Sequence, residues 1–496
     1  MYAAVSSSTL HGVFGAPITV EVHIGHGLPG FTIVGQPDEA CRESRDRVRA
    51  ALLCSGHEWP NRRITVNLSG ETEKKGGATA DLAIAVGILV ADGRIEGRAV
   101  ENLAFVGELG LDGSLRATSG IAPLAYAARA ESVVVPMVSL REARIAVGNR
   151  AFGASTLREV CTTLTEGGPW PDPGAAPHDD PADRVPDMAD VMGQENAKFA
   201  MEVAASGFHH VLMVGPPGAG KSMLAHRMPG ILPPLTPQES FESSMVRSAA
   251  GLAAITPPPR VPPFRAPHHT SSTVSMVGGG SPVRPGEISL AHNGVLFLDE
   301  MGEFAPTLLD ALRQPLEEGE VRVARARGCV TLPARFLLVG ASNPCPCANE
   351  MVTSCTCTPQ MRHRYMRRFS GPLLDRFDIR INLSRPRLSG MISAEPGEPS
   401  VSIARRVAAA RARAIERQGT PNAMLAPHLI EKHAPLTTAA RTVLENRLGR
   451  GDLTARGYHR VRRVARTIAD LRGGGDMVDD LHVESAISMR TEPANR

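Results

Sequence analysis

The residues best placed to do chemistry are Gly215-Pro216-Pro217-Gly218-Ala219-Gly220-Lys221-Ser222. Their spacing is GxxxxGK[ST], after an apolar run and before a helix-forming one. The backbone N–H groups of such a loop converge on phosphate oxygens, and the helix N-terminus adds a favourable dipole. Lys221 would reach the outer phosphates of a nucleoside triphosphate such as ATP, and the Ser222 hydroxyl would ligate Mg2+. Of the 54 basic residues only five are lysine, and one of them stands in this loop. A chance match is therefore a poor explanation.

A second constellation lies downstream. Val295-Leu-Phe-Leu is an apolar strand that ends in Asp299 and Glu300. Asp299 would hold the magnesium, usually through water, and Glu300 would orient and polarise the attacking water. The bland alternative, an acidic loop after a core strand, loses ground once a phosphate loop precedes it. A third strand, Phe336-Leu-Leu-Val-Gly-Ala-Ser, ends in the amide Asn343. That residue either faces the nucleotide or simply forms a turn before Pro344.

These groups need a sheet to hold them. Segments 211–214, 295–298 and 336–339 are short apolar runs, as buried parallel strands are. Before them, 18–24, 64–68 and 133–135 read as strands, and 82–90 as a core helix. Pro37 should open a helix that Gly56 closes. Segment 105–115 should be a hairpin turning at Asp112-Gly113. The stretch 168–187 is rich in Pro, Gly and Asp and reads as a linker. From about residue 402 the pattern turns helical, with Ile403, Val407, Ala410 and Ala414 on one face; 453–471 and 480–489 follow. Segment 390–400 reads as a flexible join.

At 496 residues the chain suggests about three domains. The formal net charge of +3 says little about partners. Eight mostly isolated cysteines with no secretory leader before them fit a reducing cytosol. No apolar run approaches the ~20 residues that a membrane span needs. The expectation is a cytoplasmic protein with no membrane association.

Taken together, these motifs resemble the YifB/ComM family of magnesium-chelatase-like AAA+ ATPases. The resemblance covers nearly the whole chain. It extends to Gly35-Gln-Pro-Asp-Glu, to Glu43-Ser-Arg-Asp-Arg-Val-Arg-Ala-Ala, to Phe264-Arg-Ala-Pro-His-His-Thr270 and to Arg456-Gly-Tyr-His-Arg. It implies a multidomain α/β protein: a Lon-protease-like α+β domain over 1–167, the linker 168–187, an AAA+ P-loop core with a parallel sheet over 188–388, and a helical lid over 401–494. It implies that Asn343 acts as sensor 1, hydrogen-bonding the γ-phosphate or the attacking water. Arg376, in Gly371-Pro-Leu-Leu-Asp-Arg-Phe-Asp378, would be an arginine finger reaching a neighbour's γ-phosphate. Arg456 would be the sensor 2 arginine facing the phosphates. A finger supplied between subunits requires a homo-oligomeric ring, and the family implies a hexamer. ComM proteins are implied to drive branch migration of single-stranded or branched DNA in recombination and transformation.

Three further readings follow from the residues. The N-terminal domain has Ala78 where a Lon-type protease would place its serine, so peptidase activity is not expected; Thr79 is a reserve candidate. Segment 321–332 alternates, turns near Gly328 and resembles the hairpin that projects into the ring's pore. Arg325 and Arg327 near its tip would meet DNA phosphates without regard to sequence. Cys345, Cys347, Cys355 and Cys357 could hold a tetrahedral Zn2+, or stand as free thiols or a redox-labile pair. The family continues Cys-Pro-Cys with Gly, whereas Ala348 follows here. Two other functions compete with the DNA motor: a chelatase-type ATPase subunit, and a regulatory ATPase that remodels a protein partner.

Overall fold

A run of four apolar residues with no polar alternation belongs in a strand buried on both faces. In the computed structural model, Val211–Val214 and Val295–Leu298 are such strands, and Leu337–Ser342 is buried at every position. The structure describes residues 1–34, 43–70, 78–171, 185–253, 255, 258–280, 283–325, 328–347, 355–385 and 397–490.

The three strands belong to a five-stranded parallel sheet. Its spatial order is Phe264–Arg265, Val295–Leu298, Leu337–Ser342, Val211–Val214, Ile379–Asn382. Val214 lies opposite both Ser342 and Asn382, and Leu298 opposite Gly340. The carboxyl ends therefore finish on one edge, which is where open α/β sheets bind ligands. The two faces are filled separately, as a period of two requires. Val211, Met213 and Val339 pack with Val407, Val461 and Ile468 of the C-terminal helices. Leu212, Leu296 and Leu338 pack with Phe304, Leu308 and Phe377.

The N-terminal part is built on a seven-stranded mixed sheet. Its order is Gly30–Val34, Arg63–Gly70, Phe14–Gly25, Tyr2–His11, Leu103–Phe105, Ser132–Pro136, Ala151–Ala154. The strand Tyr2–His11 escapes an apolar-pattern reading because its middle is Ser-Ser-Ser-Thr. Two of those hydroxyls are buried and satisfied: Ser7 donates to the Phe105 carbonyl at 2.7 Å and Ser8 to the Leu124 carbonyl at 2.8 Å. The helix Asp81–Ala91 is buried along almost its whole length. Burial raises the Asp81 pKa, while Arg47, whose Nε approaches to 2.6 Å, pulls it back down. The helix expected from Pro37 is seen as Ser44–Cys54, and Gly56 after it has a φ of +89°. Pro37 and the whole of Gly35-Gln-Pro-Asp-Glu-Ala lie outside the described residues.

The hairpin Glu108–Leu109/Leu115–Arg116 turns at Gly113, whose φ is +83°. Tyr126 meets Phe241 edge-on at 5.1 Å, and the Gly120 N–H donates to the Ser248 carbonyl at 2.9 Å. These contacts join the N-terminal sheet to the helix Pro237–Ala249 that flanks the second one. Of the linker, 172–184 lie outside the described residues. Its ends are held: Trp170 stacks on Phe152 at 5.7 Å, and Asp187 Oδ1 accepts from the Ser400 N–H at 2.8 Å.

The C-terminal helices Ser400–Gln418, Thr438–Gly449, Ala455–Leu471 and Asp480–Ser488 close over the parallel sheet. Beside the shared apolar core, an ionic tie joins them to it. Asp378, buried just before Ile379–Asn382, takes His209 Nδ1 at 3.0 Å on one oxygen and Arg460 at 2.5 Å on the other. Burial pushes the Asp378 carboxyl up, but His209 and Arg460 outweigh it and hold it well below the usual carboxylate range. A depressed folded value adds stability above the unfolded pKa of about 4 and loses it as pH falls below that. Removing one partner of a buried pair leaves the other uncompensated, at about 3–5 kcal/mol. Asp378→Asn should lose about that much in urea denaturation at neutral pH. Its stability should also change less than the wild type's on acidification below about pH 4; an unchanged acid limb would remove Asp378 from this role.

Candidate nucleotide site

Strand register decides what meets at the sheet edge. Gly215 follows Val214, Asp299 follows Leu298, and Asn343 follows Ser342. The loop between strand and helix starts tightly: a Cβ on Gly215 would sit 2.5 Å from the Leu383 carbonyl. Only glycine lets the backbone approach that strand so closely. Further on, Gly218 and Gly220 have φ values of +79° and +89°, and a Cβ on either would meet nothing within 4 Å. The loop is therefore an open cradle held in a left-handed conformation. The helix Lys221–Ile231 starts directly from it.

Lys221 is 9 % exposed. Its Nζ donates to the carbonyls of Gly215 at 2.5 Å and Pro216 at 3.0 Å, and to Asn343 Oδ1 at 3.2 Å. All three acceptors are neutral. Burial lowers the Lys221 pKa, and only the nearby carboxylates of Asp299 and Glu300 counter it. A buried ammonium on neutral acceptors, beside an open glycine cradle, suits a phosphate chain. The Ser222 hydroxyl donates to Asp299 Oδ2 at 2.6 Å. A hydroxyl and a carboxylate are hard oxygen donors of the kind that magnesium takes together with phosphate oxygens and water. The residues present thus fit ATP with Mg2+.

Glu300 has a φ of +48°, in a region that costs a non-glycine residue of order 1–3 kcal/mol. Its N–H donates to Asp299 Oδ1 at 2.9 Å. The twist directs the two consecutive carboxylates differently. Asp299 turns to Ser222, whereas Glu300 is exposed and lies 3.6 Å from His269 Nδ1. His269, in the Phe264–Thr270 stretch of the family resemblance, is thus beside Glu300.

Two supporting residues escaped the sequence reading. Gln194 donates through Nε2 to the Ala219 carbonyl at 3.1 Å and to the Ser384 carbonyl at 2.7 Å, tying the loop to the edge strand. Gly193-Gln194 just before a helix was the available signal. The Tyr365 hydroxyl meets Ser342 Oγ at 3.1 Å, behind Asn343.

The two remaining arginines are placed elsewhere. Arg376 and Arg456 both line a cavity of about 610 Å³, together with Arg460, Arg463 and Arg335. None of Lys221, Ser222, Asp299, Glu300 or Asn343 lines it. Arg456 therefore faces Arg376 rather than its own phosphate loop. Burial and then the neighbouring Arg460, Arg456 and Arg313 lower the Arg376 pKa. One guanidinium nitrogen of Arg376 pairs with Glu317, and another donates to the Pro372 carbonyl at 3.1 Å.

The basic hairpin is present as Glu320–Arg325 paired with Gly328–Pro333. Val321, Val323 and Leu332 bury its base against the five-stranded sheet's lower core. Arg327 lies outside the described residues, as does the Arg325 side chain. Among the described residues, no helix is long and apolar enough to cross a membrane. The thiols of Cys345, Cys347, Cys355 and Cys357 come together, all within 4.8 Å of one another.

Fold and site define a P-loop core of the parallel α/β class with a second α/β sheet before it and helices after it. The sequence matches the family models of magnesium chelatase, subunit ChlI, over 187–390, of the subunit ChlI of Mg-chelatase over 20–139, and of its C-terminal region over 397–490. It is 43 % identical over 503 residues to an uncharacterized protein of Mycobacterium tuberculosis, covering 99 % of each chain. It is 41 % identical to the uncharacterized protein YifB of Escherichia coli K12, over 97 % of this chain and 95 % of that one. It is 39 % identical to the competence protein ComM of Haemophilus influenzae, over 98 % and 97 %. The chain belongs to the YifB/ComM family of magnesium-chelatase-like AAA+ proteins.

Lys221→Ala removes a charged hydrogen-bond donor worth about 1.5–3 kcal/mol. ATP binding, followed with a fluorescent nucleotide, should weaken about ten- to a hundredfold; preserved affinity would refute the placement of the phosphates.

Proposed function

We propose that this chain is an ATP-hydrolysing ring motor that acts on DNA, with each hydrolysis site shared between neighbouring protomers. One observation carries the shared site. The loop, Asp299, Glu300 and Asn343 converge at one sheet edge, while Arg376 and Arg456 gather in a separate cationic cavity of the same chain. Five arginines line this cavity against Glu317, Glu318 and Asp378, and the excess of positive charge favours an incoming anion. A neighbour's γ-phosphate meets that need.

The chain's own residues then divide the work. The loop N–H groups and Lys221 bind the phosphates. Ser222 and Asp299 hold Mg2+, which when bound neutralises charge on the β- and γ-oxygens. Glu300 takes the proton of the attacking water and Asn343 orients that water or the γ-phosphate. Arg376 exchanges Glu317 for the neighbour's phosphate and stabilises transition-state charge, an effect worth about 10³–10⁵ in rate in well-studied NTPases. Arg456 and Arg460 stand beside it in the same cavity.

The finer readings are proposals as well. The N-terminal sheet is a Lon-like scaffold without peptidase chemistry, and the C-terminal helices act as the lid. A hexamer, with the hairpin 320–333 in its pore, is the assembly that the resemblance implies. DNA is the polymer that Arg325 and Arg327 on such a hairpin would track by its backbone phosphates.

Two experiments test this. Arg376→Ala and Asp299→Ala should each be inactive alone. An equal mixture should recover roughly a quarter of wild-type turnover, because one head-to-tail interface in four then pairs an intact loop with an intact finger. No recovery in mixed rings would mean that each site is complete within its own chain. Arg325→Ala/Arg327→Ala should bind ATP normally but lose DNA affinity and any DNA-stimulated turnover. Undiminished DNA binding would move the polymer to another surface, and stimulation by a porphyrin instead of DNA would favour the chelatase reading.

A further inference from the structure

The four cysteines sit where the segment that leaves Asn343 returns to the protein. Cys345 and Cys347 follow the strand Leu337–Ser342; Cys355 and Cys357 precede the helix Pro359–Met366. Their sulfurs are 3.2 Å apart for Cys345–Cys347, 3.7 Å for Cys345–Cys355 and 3.6 Å for Cys347–Cys355. A disulfide requires about 2.05 Å, so none of these pairs is bonded. A tetrahedral metal with bonds of about 2.3 Å to sulfur holds its sulfurs about 3.8 Å apart. The arrangement is close to that spacing, and Cys345 and Cys357 are both buried. Thiols are weak hydrogen-bond donors and weaker acceptors. Four thiols within 4.8 Å of one another form a ready ligand set for a soft metal ion. Soft sulfur donors exclude magnesium, which the hard oxygens of the nucleotide site take.

We propose that Cys345, Cys347, Cys355 and Cys357 form a tetrathiolate site for one zinc ion, which staples the two ends of the 344–358 segment and thereby fixes Asn343 at the nucleotide site. On coordination the thiols give up their protons to solvent, and no oxidant or reductant is involved. The link to the nucleotide is short. Cys345 is two residues from Asn343, whose Oδ1 receives the Lys221 ammonium at 3.2 Å. On the other side, the helix that begins after Cys357 carries Tyr365, whose hydroxyl contacts Ser342 Oγ at 3.1 Å. Metal, sensor strand and following helix thus form a closed circuit behind the γ-phosphate position. The effect on turnover rests on the ATPase reading; the metal site does not.

The test begins with the intact chain, purified under reducing conditions without added metal. Elemental analysis should find about one zinc per chain. A mercurial that blocks thiols should release that zinc in proportion, read with a metallochromic indicator. Cobalt exchanged into the protein should show the charge-transfer and d–d absorption of a tetrahedral thiolate site. Cys355→Ser/Cys357→Ser should lose the metal; the release and cobalt measurements on wild-type protein keep the site testable if that variant does not fold. Reduced protein that contains no zinc, takes up no cobalt and has freely titrating thiols would overturn the site, as would iron in its place. For the consequence, an active-site misplacement of about 1 Å can cost about 100-fold in rate. Zinc removal should therefore lower ATP turnover about ten- to a hundredfold, with nucleotide affinity within about twofold. Turnover unchanged after verified zinc loss would overturn the coupling to Asn343 and leave the nucleotide site untouched.

Discussion

The parallel register of three short strands is the constraint on which the rest depends. Val214 opposite Ser342, and Leu298 opposite Gly340, bring three strand ends to one edge. Gly215, Asp299 and Asn343 then each sit one residue beyond a strand. A slip of one residue in any of them would turn its side chains to the opposite face. Apolar packing holds the register from both sides: Val339 lies on one face and Leu338 on the other. The loop can approach the neighbouring strand only because Gly215 has no side chain to meet the Leu383 carbonyl.

From that edge the electrostatics follow. Burial disfavours the Lys221 charge, and the carboxylates of Asp299 and Glu300 offset this only in part. Asp299 and Glu300 are adjacent in sequence yet separated in direction by the positive φ at Glu300. One carboxylate can serve the metal while the other stays free for water. The cationic cavity is the counterpart on another surface. Asp378 anchors it, since Arg460 reaches both that carboxylate and the Arg376 carbonyl. The helix Ala455–Leu471 and the Arg376 segment are thereby held as one piece, so a shift of the C-terminal helices would carry Arg376 with it.

Much of this was legible in the sequence, and the reasons are physical. The phosphate loop and the paired carboxylates are local in sequence, so spacing reveals them. The face Ile403, Val407, Ala410 and Ala414 was read from its period and is buried. The hairpin was read over 321–332 from alternation and a glycine, and the structure pairs 320–325 with 328–333, Arg325 opposite Gly328. Elements whose burial is achieved through hydrogen bonds were not legible. Tyr2–His11 hides its buried serines behind carbonyl partners, and Phe264–Arg265 and Ile379–Asn382 are too short or too polar to register as strands. Relations between distant segments were equally hidden. Nothing in the spacing of Arg376 and Arg456 says that they share a cavity, or that Gln194 holds the loop. Four cysteines in two pairs announced themselves as a group, but their convergence behind Asn343 needed coordinates.

The central claim is that one chain cannot complete its own hydrolysis site. ATP turnover per chain, measured over a range of protein concentrations with particle mass followed in parallel, tests it most directly. Specific activity should fall on dilution in step with the loss of assembled particles. Full turnover per chain in a sample that is monomeric throughout would contradict the claim.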